Sequence, residues 1–119
     1  MEFVLTFQQP AEVYDLYADP IKGRAALQPW KLYMESMASA GVLRGGNQLD
    51  ARNTTAVRIR DGKRQIQDGP FADTKDLLGG YVVIDVASLD DALKWAELSP
   101  SSALGCTEVW PVMSASPPA

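Results

Sequence analysis

Histidine is absent from the 119 residues, and cysteine occurs once, at Cys106. Without histidine the chain lacks the commonest general base and the commonest metal ligand. A closed zinc site, usually rich in Cys or His, is therefore not expected, and a His-ligated haem within one chain and an intrachain disulfide are excluded. Carboxylates alone suit Mg²⁺ or Ca²⁺ weakly and transition metals poorly, so no metal and no cofactor is expected. Long apolar runs are missing too. No stretch approaches the ~20 residues that cross a bilayer. Residues 1–7 are too short for a signal peptide and lack its basic flank. The expectation is a cytoplasmic protein with no membrane partner, in which Cys106 is a small buried hydrophobe.

What is present is ordinary globular composition. The apolar share is 46% and the charged share 22%, enough for one modest core and one domain. That domain is expected over residues 1–113. Residues 114–119 are small, polar and proline-rich, and are expected to be a disordered tail. The net charge of −4 argues against nucleic acid as a partner, because phosphate contacts supply most of that affinity. The charge is uneven, however. Arg44, Arg52, Arg58, Arg60, Lys63 and Arg64 face only Asp50 and Asp61 in the same stretch. This is either a solvated hairpin face or a site for a small anion.

Residues 2–8 alternate, with Phe3, Leu5 and Phe7 on one face, as a half-buried strand does. Residues 10–17 suit a short helix with Val13, Leu16 and Tyr17 on one side. Asp19 followed by Pro20 resembles an N-cap with proline at the first helical position. Pro29 predicts a kink or a restart. Trp30, Tyr33, Met34, Met37 and Gly41 then fall at helical spacing, a stripe read as core rather than a cofactor box, and Gly41 is the C-terminal stop. Residues 42–49 form a weak strand broken by Gly45 and Gly46. Residues 55–60 and 63–67 flank Asp61-Gly62, a two-residue hairpin signal. Residues 81–86 are apolar on both faces apart from Asp85, as in a central strand. Ser88 caps a helix over residues 89–98, Ser99-Pro100 stops it, and residues 107–112 are the last strand. The order of elements predicts an α+β fold, a ferredoxin-like split βαβ sheet with helices on one face and an extra β-hairpin.

The motifs Ala40-Gly41-Val42-Leu43, Thr55-Ala56-Val57-Arg58, Asp68-Gly69-Pro70-Phe71-Ala72-Asp73-Thr74-Lys75-Asp76, Leu78-Gly79-Gly80-Tyr81 and Glu108-Val109-Trp110-Pro111-Val112 resemble the DGPF branch of the YCII-related family. The resemblance runs well from residue 42 to 112 and loosely over the first helix. It implies a dimeric α/β-barrel, in which ferredoxin-like subunits pair through their open sheet faces. Relatives in that superfamily include monooxygenases, lactone isomerases and haem-handling proteins, and some are associated with sigma-factor-like domains. This chain departs from the family twice. It lacks the histidine of a proposed His-Asp pair, and it has Trp110 where the family's ending carries arginine.

Strand periodicity puts Phe3, Leu5, Phe7, Val82, Ile84 and Val86 against the helices. The opposite face carries Thr6, Tyr81, Val83, Asp85, Cys106, Glu108 and Trp110, the mixture a pocket or a dimer interface needs. A lone two-layer domain would expose it, so a homodimer is expected. Asp85 and Glu108 are candidate catalytic carboxylates: if close together in a dry cleft, one would be pushed toward acid-base work. The plain alternative is that both bond arginines or backbone across the dimer. Asp68 is a third candidate, or else a turn residue bonding backbone amides before Pro70, with Phe71 plugging the core. Asp68, Asp73 and Lys75 are placed at a pocket mouth or in a surface ion-pair cluster. Arg58 and Arg60, on one side of a strand, are candidates to hold a carboxylate or phosphate, with Tyr81 and Trp110 as further lining. Two functions remain open. One is a small-molecule-binding protein or cofactor-independent enzyme with a cavity lined by Tyr81, Asp85, Glu108 and Trp110. The other is a non-catalytic regulatory or interaction module.

Overall fold

A computed structural model describes residues 1–69 and 75–113. Alternation of apolar and polar residues gives β1 (Glu2–Pro10), which is flanked on one side by β5 (Asp76–Asp85) and on the other by β6 (Cys106–Pro111). β2 (Leu43–Gln48) adds to the far side of β5. The four-stranded order β2-β5-β1-β6 with antiparallel neighbours is the split βαβ arrangement. β5 starts five residues earlier than the apolar run at residue 81 suggests.

Every second residue of β1 and β5 turns toward the helices. Phe3, Leu5, Phe7, Val82, Ile84 and Val86 are all buried there, as expected. Over them lie α1 (Ala11–Ala18), α2 (Gly23–Ser39), α3 (Leu89–Leu98) and the short α4 (Pro100–Leu104). Tyr33 and Met37 of α2 and Ala92 of α3 complete the buried cluster. The Tyr33 hydroxyl donates to the Trp95 carbonyl at 2.8 Å, and burial pushes its phenol well above the ordinary range.

Helix boundaries follow local chemistry with three differences. α2 runs unbroken through Pro29 and begins at Gly23, not at Pro20. Asp19 caps the turn before it, accepting the amides of Ile21 and Lys22 at 2.8 Å each. Those two bonds hold its carboxyl below its usual range. Ser99 ends α3 but also caps α4, which Pro100 opens. Elsewhere the signals read directly. Ser88 accepts the Asp91 amide at 3.2 Å, and Gly41 follows α2 in the left-handed region at φ 73°.

The hairpin stands apart. β3 (Thr55–Arg60) and β4 (Lys63–Asp68) form their own two-stranded sheet. Asp61 and Gly62 turn it at φ 52° and 73°. All of β4 is exposed, and in β3 only Ala56 is half-buried. A radius of gyration of 16.5 Å and extents of 56 × 47 × 19 Å exceed the ~13.5 Å radius of a compact chain this long.

Candidate functional site

A cleft lies on the helix side of the sheet, where β1, α1 and α2 meet the connection between β2 and β3. Its volume is about 810 Å³. Phe7 and Gln9 project into this side from β1 because they continue the buried alternation of Phe3 and Leu5. α1 follows β1 at once and presents Tyr14 and Tyr17, one helical turn apart. α2 contributes Leu27, Trp30 and Met34 at i, i+3 and i+7.

The walls are aromatic. Phe7 and Trp30 meet edge to face with centroids 4.8 Å apart, and Tyr14 meets Tyr17 at 6.1 Å. Behind them runs a polar relay. The Trp30 indole donates to the Tyr17 hydroxyl at 2.9 Å, which donates to Gln9 Oε1 at 3.0 Å. Gln9 is 2% exposed, a buried carboxamide. The Tyr14 hydroxyl donates to the Leu77 carbonyl at 2.6 Å. Burial raises the Tyr14 phenol above its ordinary range, and hydrogen bonding to Gln9 offsets part of the rise. The Tyr14 ring fits because the register between β1 and β5 slips at Phe7/Gln8, opposite Gly79. A β-carbon at Gly79 would lie 2.7 Å from Tyr14 Cζ, so only glycine admits the ring.

At the mouth the connection from Leu49 to Thr54 folds over the cleft. Leu49 donates its amide to the Gly79 carbonyl at 2.9 Å, and Asn53 bonds Asp50 through both amide and side chain. Arg52 pairs with Asp15 of α1 and donates to the Ala11 carbonyl at 2.8 Å. A guanidinium is thus fixed beside a cavity of aromatic walls and a hydrogen-bonding floor. That arrangement suits a small, mostly apolar ligand with polar substituents.

The sequence-derived candidates are distributed differently from expectation. Among the described candidates Tyr81 alone lines the cleft, and its hydroxyl accepts from Asn47 Nδ2 at 2.9 Å. Asp85 and Glu108 do not approach one another. β1 separates their strands, and they pair with Glu2 and Thr6 respectively, which puts them roughly 15 Å apart. Asp85 binds the Met1 ammonium at 3.0 Å and faces Arg44 at 3.8 Å. Glu108 accepts from Gln8 at 2.7 Å and Thr6 at 3.2 Å. The paired-carboxylate expectation therefore fails geometrically, because a strand stands between the two.

Trp110 is 55% exposed at the edge of the open sheet face, beside Val4, and not in the cleft. Cys106 is exposed, not buried, because it shares the open face of β6 with Glu108 and Trp110. Arg58 and Arg60 share one side of the hairpin as expected. Arg58 bonds Gln65 at 2.9 Å, and Arg60 bonds the Ile59 carbonyl at 2.9 Å. Neither lines the cleft. Asp68 ends β4 and Lys75 precedes β5, both exposed. Asp73, the Phe71 core plug and the tail at 114–119 lie outside the described residues.

Sequence reasoning missed Gln9, Tyr14 and Tyr17 as site residues, included Arg52 only within the basic stretch read as a solvated face or an anion site, and read Trp30 and Met34 only as core. One signal was available. Paired glycines inside a strand mark a place where something approaches the backbone closely, and Gly79-Gly80 is where Tyr14 and the Phe7 ring do so.

Comparison with known proteins gives three findings. The family model described as YCII-related domain matches residues 1–116. An uncharacterized protein of Rhizobium meliloti (strain 1021) is 49% identical over 45 residues, a span of 36% of each chain. Among solved structures, a 5-chloro-2-hydroxyhydroquinone dehydrochlorinase from Burkholderia phenoliruptrix AC1100, in complex with 2,5-dihydroxybenzoquinone, superposes with a TM-score of 0.50. It is 18% identical, with 95% of this chain and 94% of that one covered. The likeness is one of fold.

Proposed function

This chain is a member of the YCII-related domain family, and from that premise we propose that it is a homodimeric small-molecule-binding protein or cofactor-independent enzyme whose ligand occupies the cleft between sheet and helices. The observation that carries this reading is the cleft itself. Aromatic walls from Phe7, Tyr14, Tyr17 and Trp30 surround a buried carboxamide at Gln9 whose oxygen accepts from Tyr17. A core needing only to fill space would not bury an amide beside two half-buried phenols, since each polar group withdrawn from water demands a partner. A protein of the same fold holding a small cyclic quinone supports a ligand of comparable size here.

The homodimer reading rests on the open sheet face. Val4 and Val83 pair across β1 and β5, with Trp110 beside them on β6. A monomer leaves this patch in water. Arg52, fixed at the cleft mouth, replaces Arg58 and Arg60 as the guanidinium best placed to meet a polar substituent of the ligand.

The test uses small hydroxylated quinones and hydroquinones as probes, with calorimetry as the readout. Leu27→Trp fills the cleft and is expected to weaken binding at least tenfold. Arg58→Gln with Arg60→Gln is expected to leave it unchanged. Equal affinity in wild type and Leu27→Trp would place the ligand elsewhere.

A further inference from the structure

Among the described residues, the β3–β4 hairpin carries apolar surface that no other element covers. Val57 and Ile66 are cross-strand partners, and Ile59 follows Val57 on the same face. They are 63%, 51% and 58% exposed respectively. An isolated two-stranded hairpin is marginal in water, and three β-branched side chains in a row on an exposed ribbon are an adhesive surface. The arm is also cationic. Residues 55–68 hold four Lys or Arg against two Asp, whereas the remaining chain holds seven Lys or Arg against thirteen Asp or Glu.

The open face of the four-stranded sheet has the complementary character. Its apolar centre is Val4, Val83 and Trp110. Its carboxylates are Glu2 and Asp85 in one row and Glu108 in another. Asp85 is ion-paired with the N-terminus and Arg44, whereas Glu108 is bonded by the uncharged Gln8 and Thr6, so Glu2 and Glu108 are the acids nearest Trp110 on β1 and β6. The arm is tethered to the end of β2 and the start of β5, while Trp110 lies on β6, the edge strand on the far side of the sheet from β2.

We propose that the hairpin is a docking arm for a second copy of this chain: its Val57, Ile59 and Ile66 face seats against Trp110 at the β6 edge of the other copy's open sheet, and Arg64, the cross-strand partner of Ile59 on that same face, meets Glu2 or Glu108. The inference rests on the homodimer reading and goes beyond it. The sheet faces supply the dimer's centre, and the arms clasp its rim. Charge complementarity selects a second copy over a nucleic acid, because an acidic body would repel phosphate while attracting the arm.

Sedimentation equilibrium of the full chain tests this, with circular dichroism confirming the fold of each variant. Val57→Ser with Ile66→Ser alters only exposed positions. It is expected to raise the dimer dissociation constant by roughly tenfold or more. Arg64→Gln should flatten the salt dependence of dimerisation, whereas Arg60→Gln with Lys63→Gln, on the opposite face of the arm, should change it less. Combined with Trp110→Ser, the arm variant should lose less than the product of the separate effects, as residues in contact do. Val83→Asp separates the two readings. If it dissociates the dimer while Val57→Ser with Ile66→Ser does not, the arm inference falls and the homodimer stands. Multiplicative losses with Trp110→Ser would remove that seat. A wild-type chain that stays monomeric yet binds a polyanion through the arm would overturn both readings.

Discussion

Gln9 shows how one buried polar side chain organises its surroundings. Its carbonyl oxygen accepts the Tyr17 hydroxyl, which in turn accepts the Trp30 indole. Gln9→Leu keeps the volume but leaves the Tyr17 hydroxyl without its acceptor, at a cost of about 1–3 kcal/mol. Urea unfolding should show the loss, and tryptophan emission should shift as Trp30 loses its anchored partner. Tyr33 makes a second case at this scale. Burial raises its phenol, so the folded chain keeps the proton after the unfolded chain releases it near its ordinary value of 10.0. The unfolded state then binds fewer protons, and stability falls as pH rises through that value. Urea midpoints measured from pH 9 to 11 should decline, and Tyr33→Phe should make the decline shallower. An equal slope in both proteins would assign the effect to other groups.

Each element is built from short signals that agree with their setting. α3 is an example: Ser88 caps it, Asp90 and Asp91 occupy its first turn, and Ala92 and Ala96 face the core. Ser88→Ala removes the acceptor of the Asp91 amide and should cost about 1 kcal/mol, read from the midpoint of thermal unfolding. At the hairpin, Gly62 sits in the left-handed region, as the second position of a tight turn requires. Its replacement by valine should disorder the arm without unfolding the body, since the arm's strands pair only with each other. Amide exchange would show protection lost over residues 55–68 and kept in β1 and β5.

On the scale of the whole molecule, stability comes from one layer of sheet and one of helix. Ile84 and Leu5 have no exposed surface. Ile84→Ala should cost about 2–5 kcal/mol through the lost transfer energy and the cavity left behind, seen in the urea midpoint. The same substitution would leave the arm untouched, so dimerisation of the folded fraction should persist.

Local chemistry sufficed for most elements. Alternation in β1 assigned Phe3, Leu5 and Phe7 to the core, Asp61-Gly62 predicted the hairpin turn, and Ser88 marked the start of α3, because each of these is written within a few consecutive residues. The motif run from Ala40 to Val112 was enough to identify the YCII-related family. The cleft was not legible in the same way. Gln9, Tyr14, Trp30, Arg52 and Gly79 come from five separate stretches of chain, and nothing within any one stretch says that the others arrive there. The Asp85–Glu108 expectation failed for the same cause. Two carboxylates on strands of like polarity look adjacent until strand order places β1 between them. Pairing order and register depend on contacts distant in sequence, so periodicity can assign a side chain to a face but cannot choose its neighbour.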